Sequence, residues 1–175
     1  MEDFIKYLKR KGKEQFTEAK EEEIQQLVEW GKGKLPEEFL WVYQKMMPKN
    51  VVGIKDIVIY SMERIENENF HYVPGANIYP LGLFTFASAL DGDVICIDLN
   101  DKNGSIYQCS HSLLADEEKI SFYKNKMVNL EFSYENVIRC SKKLADNYLE
   151  FTKELKKSRS ITYDVVGIAI DRYGE

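Results

Sequence analysis

The stretch VICIDLNDKNGSIYQC, residues 94–109, decides the class of fold. Two β-type runs, 94–99 and 105–109, flank a polar segment that ends in Asn103-Gly104. Asn-Gly between two such runs is the strongest local signal for a β-hairpin, because both residues tolerate a positive φ angle. The sequence therefore predicts two antiparallel strands joined by a short turn.

Helical patterns lie on both sides of this hairpin. Apolar residues recur at helical spacing in three N-terminal segments, which end near Gly12, Gly31 and Pro48. The same spacing returns over 144–155, where lysines follow near the end, as the helix dipole favours. These patterns predict an α+β domain with helices at both ends of the chain.

Further strands are predicted around the hairpin. Ile57-Val58-Ile59-Tyr60 is a short β-branched run, residues 81–86 are a second apolar run, and 161–170 is predicted to be a final strand. Residues 62–76 are polar without a clear period, which predicts an irregular segment. The final strand could complete the sheet or pair with a second copy, so a homodimer stays open.

The composition is that of one ordinary globular domain. The 175 residues carry 24 Lys and Arg against 29 Asp and Glu, a net charge of −5, which argues against direct binding of a nucleic-acid backbone. The first residues contain no apolar run typical of a signal peptide, and no window is apolar over 18 residues. We therefore expect a cytoplasmic protein without a membrane segment.

No motif in the sequence indicates catalysis, a metal or a cofactor. The two histidines, His71 and His111, lie 40 residues apart without a partner at ligand or triad spacing. The three cysteines form no C-x-x-C pair, and no glycine-rich phosphate loop is present. We expect no enzyme, no cofactor and no metal site. An enzyme whose residues converge around His111 only in three dimensions stays open.

The charge distribution indicates a docking surface. Residues 87–118 carry seven acids against one cation, Lys102. An acidic surface of this kind steers and selects a basic partner, with Tyr107 or Phe122 as candidate aromatic anchors. The alternative is a solvated hairpin face. The predicted partner-binding residues are Asp91, Asp93, Asp98, Asp101, Asp116, Glu117 and Glu118.

Several of these stretches resemble one protein family when they are taken in order. They are LPEEFLWVY at 35–43, YPLGLFTFA at 79–87, DGDVICIDL at 91–99 and GSIY at 104–107, followed by His111. Together they resemble the SMI1/KNR4 family of the SUKH superfamily over about residues 17–157. Residues 46–50 depart from the family pattern, and the tail from Ser158 extends past its usual end.

The resemblance implies one domain over 1–175, with a core at about 17–157, an N-terminal helix and a C-terminal strand extension. It implies an antiparallel sheet of five to six strands flanked by helices, and no catalytic residues. Many bacterial members look like immunity proteins, so we expect a cognate toxin partner, basic and nuclease-like. A cytosolic regulatory or scaffold domain that binds another protein is the alternative.

Overall fold

Ten strands and eight α-helices alternate along residues 1–173, which are the part of the chain that the computed structural model describes. The strands are β1 (Phe16–Thr17), β2 (Met47–Pro48), β3 (Val52–Ile54), β4 (Ile57–Ile59), β5 (Leu83–Ala89), β6 (Val94–Asp98), β7 (Ile106–Cys109), β8 (Lys119–Tyr123), β9 (Met127–Glu131) and β10 (Lys142–Ala145). The helices are α1 (Glu2–Gly12), α2 (Glu21–Trp30), α3 (Glu37–Met46), α4 (Met62–Phe70), α5 (Gly75–Ile78), α6 (Tyr134–Arg139), α7 (Tyr148–Lys157) and α8 (Val165–Arg172). This order confirms the predicted α+β class.

A six-stranded antiparallel sheet forms the centre of the molecule. Its strand order is β10-β7-β6-β5-β4-β3, and the predicted hairpin supplies the central pair β6 and β7. All five residues of β6 are buried, because both faces of the sheet are covered. The prediction of five to six antiparallel strands is confirmed.

One face of the sheet packs against α1, α3 and α7. At its centre Phe39 of α3 lies edge-on to Phe84, Phe86 and Tyr148, with ring centroids 5.3–6.2 Å apart. Burial of one such aromatic side chain stabilises the fold by roughly 2–3 kcal/mol. The larger of the two cores therefore lies between this face of the sheet and the helices from both ends of the chain.

The other face is covered by the β8–β9 hairpin, α6 and α8. Ile120, Val137 and Ala169 from these three elements pack in one cluster with Cys96 and Cys109 of the sheet. The two cysteines point to this face from neighbouring strands, with their Sγ atoms 3.5 Å apart. The smaller core thus depends on elements from the last third of the chain.

The predicted irregular segment at 62–76 is wrong, since residues 62–70 form α4. Ser61 accepts a hydrogen bond from the Arg64 N–H and caps this helix. Its buried face contains the polar residues Glu68 and Asn69 beside Ile65, so the sequence shows no apolar period. The Asn69 amide donates to the Thr85 carbonyl and accepts from the Thr85 N–H, which docks α4 on β5.

The predicted strand at 161–170 is also wrong, because residues 165–172 form α8. The Asp164 carboxylate accepts from the Gly167 N–H, and this cap starts a helix in a run that is rich in β-branched residues. Val165 and Ala169, four residues apart, are the side chains that α8 buries. Within the described residues, the C-terminal extension therefore contains a helix and adds no strand to the sheet.

The helix predicted over 144–155 corresponds to α7, which begins later than predicted. Asn147 accepts from the Glu150 N–H and caps α7, so the helix starts at Tyr148. Residues 142–145, which include Leu144, form the edge strand β10 instead. None of the helices within residues 1–173 is long and apolar enough to cross a membrane.

Candidate partner-binding surface

The seven acidic residues predicted to form one docking surface lie at three separate places. Asp91 and Asp93 precede β6, whereas Asp98 ends it and Asp101 follows in the hairpin turn. A five-residue strand is about 16 Å long, so these pairs lie at opposite ends of the sheet. Residues 116–118 precede β8 at the base of the second hairpin. The structure therefore does not bring the seven carboxylates together.

Two of these carboxylates are buried and hold the backbone. Asp93 accepts from the Gln108 Nε2 at 3.0 Å and from the His111 N–H at 3.0 Å. Asp98 accepts from the Asn100 N–H at 2.9 Å and from the Tyr134 hydroxyl at 2.6 Å. Buried carboxylates that are hydrogen-bonded inside the domain cannot contact a partner directly. Charge reversal at either position would break the fold, contrary to the expectation of an exposed docking role.

Asp101 organises the turn between β6 and β7. Its carboxylate accepts from the Asn103 N–H at 3.2 Å, from the Ser105 N–H at 3.3 Å and from the Ser105 hydroxyl. The hydrogen bond from the Ser105 hydroxyl is the main reason that the pKa of Asp101 is lowered. Asp101 is thus chiefly a turn residue.

The stretches that carry the family resemblance meet around this turn. Pro36 precedes α3 and packs against Gly104, where an added Cβ would lie 2.8 Å from the Pro36 Cγ. Beside this contact lies an open groove of about 490 Å³. Its lining combines residues 33–38, residues 102–104, Asn147 and Leu149. The shared stretches therefore fix the packing of α3 against the hairpin tip.

At the opposite end of the sheet, three loops form a surface that we call the Leu90 face, consisting of Leu90, Asp91, His111, Tyr163 and Asp164. All five are exposed, Leu90 to 71% and Tyr163 to 49%. Two exposed large apolar side chains with carboxylates beside them suit an interface that has an apolar centre and a polar rim. This face is the strongest candidate for a partner-binding surface.

Hydrogen bonds, most of them partly buried, fix the loops of the Leu90 face relative to one another. The Gln108 Oε1 accepts from the Tyr163 N–H at 2.9 Å, and its Nε2 donates to the Tyr163 carbonyl at 2.9 Å as well as to Asp93. The Leu90 N–H donates to the carbonyl of Asp56, whose side chain binds residues 160–162. The exposed side chains are therefore presented on a preorganised backbone.

In the described chain, His111 contacts the carboxylate of Asp93. Its Nδ1 lies 3.0 Å from Asp93 Oδ1, which also accepts the His111 N–H, and its side chain is half exposed. Within residues 1–173, no three His, Cys, Asp or Glu side chains are grouped so that they could hold a metal ion. The geometry thus gives His111 a loop-positioning role.

The cysteines are packed as apolar residues. A hydrogen bond with Cys109, together with burial, raises the pKa of Cys96, and burial raises the pKa of Cys140. A nucleophilic cysteine requires the opposite shift, because the thiolate is the reactive form. The arrangement of these thiols supports no covalent chemistry.

Sequence reasoning found Asp91 on the Leu90 face but missed its apolar residues. Phe122, a predicted anchor, is buried in the smaller core, and Tyr107 is half buried beside it. Leu90 lies within the acidic segment and immediately precedes the Asp91-Gly92 turn, so its position could have indicated exposure. Tyr163 lies in the misassigned C-terminal segment and had no such signal.

A comparison with known protein families shows which family this chain belongs to. The profile described as the SMI1/KNR4 family (SUKH-1) matches residues 18–130, more than half of the chain. The chain belongs to this family. Searches of the curated proteins and of the solved structures gave no match.

The SMI1/KNR4 match covers α2 through most of β9. It begins next to the predicted start at 17 and ends at 130, earlier than the predicted 157. It includes Pro36, Gly104, Leu90 and Asp91, whereas Tyr163 and Asp164 lie outside it. One half of the Leu90 face is thus built from the family region and the other from this chain's C-terminal segment.

Proposed function

We propose that the chain is a non-enzymatic, cytoplasmic immunity protein that binds a cognate toxin, basic and nuclease-like, and covers its active surface. Membership of the SMI1/KNR4 family is consistent with such a role. The observation that carries the proposal is the Leu90 face, with two exposed apolar anchors between carboxylates on a hydrogen-bonded backbone.

The chemistry of the target explains why this surface suits it. A nuclease binds a polyanion, so its working surface is basic. Asp91 and Asp164 would speed the encounter, since complementary charge acts mainly on the association rate. Leu90 and Tyr163 would slow release, because buried aromatic and aliphatic anchors carry most of the energy of an interface.

The partner is first isolated from the native host with the tagged chain at low and at high salt. The retained protein is then assayed for nuclease activity with and without an equimolar amount of the chain. Inhibition of a basic nuclease supports the proposal. Retention of a protein without toxin activity favours the alternative, a regulatory or scaffold domain, and retention of nothing at low salt counts against both.

Tyr163→Ala tests the Leu90 face directly. We expect it to raise the dissociation constant for the inhibited nuclease by at least about tenfold, equivalent to about 1.4 kcal/mol, through faster release. The fold should persist, because Gln108 holds the main chain of residue 163 and not its ring. Surface plasmon resonance measures both rates.

Tyr72→Ala is the matched control. Tyr72 is exposed to 47%, close to the 49% of Tyr163. Each ring also lies under a cation, Arg64 at 5.2 Å for Tyr72 and Lys142 at 4.8 Å for Tyr163. Equal effects of the two substitutions would contradict this location of the interface.

A further inference from the structure

In the part of the chain that the structure describes, the outer edge of β9 pairs with no further strand. In the β8–β9 hairpin, the main-chain N–H of Lys124 donates to the carbonyl of Lys126, and the N–H of Phe132 donates to the carbonyl of Glu118. The even-numbered residues therefore form the hydrogen-bonded pairs. Antiparallel pairing alternates, so the N–H and C=O groups of Met127, Asn129 and Glu131 point away from β8. Of these groups, the Glu131 carbonyl accepts from the Asn136 amide. The main-chain N–H and C=O groups of residues 127 and 129 are therefore available to pair with a further strand.

The side chains of β9 also show that its edge is incompletely covered. Ile120 and Phe122 of β8 are buried, whereas Val128 and Leu130, which face the same core from β9, are only half buried. On the outer face, Met127 is exposed to 58%. A strand added beside β9 would complete the burial of Val128 and Leu130.

The charge pattern of the hairpin matches a second copy of itself. Lys124 and Lys126 lie at its tip, whereas its base carries Glu131 and the acidic residues 116–118 against one cation, Lys119, which lies opposite Glu131. When two such hairpins pair antiparallel through β9, each basic tip lies beside the acidic base of the other. Parallel pairing would place like charges together, which is unfavourable.

We propose that β9 pairs antiparallel with β9 of a second copy of this chain and joins the two hairpins into a four-stranded sheet. With Asn129 facing its own counterpart, Met127 lies directly opposite Glu131 of the second copy. This pairing keeps the outward-pointing backbone groups in register and gives an isologous interface. It gives a role to the acidic residues 116–118, and it does not depend on the proposed function.

Asn129→Pro tests the pairing in the full chain. Proline removes the N–H that points outward, and it is tolerated at an edge position because the β8–β9 bonds use the even-numbered residues. Sedimentation velocity over roughly a hundredfold range of protein concentration should show a reversible dimer for the unchanged chain. The substitution should raise the dimer dissociation constant at least about tenfold.

Asn129→Ala is the matched control. Both substitutions remove the hydrogen bond from the Ser121 hydroxyl to the Asn129 side chain, but alanine keeps the outward N–H. We expect the alanine variant to dimerise within about threefold of the unchanged chain, well below the tenfold effect of proline. A monomer at every concentration, or a dimer that Asn129→Pro leaves intact while hydrogen exchange shows β8 still protected, would overturn the proposal.

A charge exchange keeps the proposal testable if proline disrupts the hairpin. Met127→Glu should weaken the dimer, since it places a second carboxylate directly opposite Glu131 of the other copy, on the same face of the sheet. Adding Glu131→Lys to Met127→Glu in one chain should restore it, because opposite charges then face each other across the interface. Neither side chain makes a hydrogen bond within the described chain. Failure of the double variant to recover would refute the antiparallel arrangement.

Discussion

One carboxylate, Asp56, holds the chain between α7 and α8. Its Oδ2 accepts from the N–H groups of Ile161 and Thr162 at 2.8 and 2.9 Å, and from the hydroxyls of Ser160 and Thr162 at 2.6 and 2.8 Å. Partial burial opposes ionisation, but these four hydrogen bonds outweigh it and lower the pKa of Asp56 to about 2. The ionised form of Asp56 is therefore preferred in the folded state.

The lowered pKa of Asp56 predicts a pH-dependent contribution to stability. Because the folded pKa lies below the ordinary value of 3.8, the contribution is present above about pH 4 and is lost as the pH falls towards 2. Partial exposure reduces its size to about 1 kcal/mol. Between pH 5 and about pH 2, the free energy of unfolding should fall by about 1 kcal/mol less in Asp56→Asn than in the unchanged chain, as measured by urea unfolding. An identical acid loss in both proteins would contradict this prediction.

At the scale of elements, local turn and cap chemistry determined what the sequence could predict. The β6–β7 hairpin was predictable because its turn residues carry the signal themselves. The C-terminal segment was not, since β-branched residues favour a strand locally and only the Asp164 cap and burial of Val165 and Ala169 select a helix. Similarly, α4 buries Glu68 and Asn69, so tertiary hydrogen bonds replace the apolar period that sequence reasoning requires.

The contact between the hairpin tip and the residue before α3 predicts different costs for two glycine substitutions. Gly104 and Gly33 have similar positive φ angles, +64° and +68°, so alanine should cost about 1–2 kcal/mol of strain at either position. At Gly104 the new Cβ would also lie 2.8 Å from Pro36, whereas at Gly33 it meets nothing within 4 Å.

We therefore expect Gly104→Ala to lower the free energy of unfolding by about 1–3 kcal/mol more than Gly33→Ala, the usual cost of overpacking. Chemical denaturation of the two variants measures the difference. Equal losses would mean that α3 and the hairpin tip move apart freely and that this packing is not fixed.

For the whole molecule, the predicted partner-binding residues are not gathered in one surface, and the reason is physical. Net charge along a segment is readable from the sequence, but a strand separates neighbouring acids by its own length and burial turns some of them inward. Asp93 and Asp98, five residues apart, became backbone-binding groups at opposite ends of β6. Leu90, which has no charge, became the most exposed of the large apolar side chains in the described chain.

The distribution of the larger core predicts that the family region cannot fold alone. Residues 18–130 contain the central strands and α3, but α1 supplies Phe4 and Leu8, and α7 supplies Phe151 and Leu155. Removal of these side chains exposes apolar surface worth several kcal/mol, at roughly 2 kcal/mol for each, against a total stability of about 5–15 kcal/mol.

We expect a fragment of residues 18–130 to lack cooperative thermal unfolding by circular dichroism. A fragment of residues 1–157 is the control, because it retains α1 and α7 and loses the segment held by Asp56 and Gln108 together with α8. It should unfold cooperatively at a lower temperature than the full chain. A shorter fragment that melts as sharply as the control would show that the outer helices are additions to a self-sufficient core, and that the domain is smaller than the chain.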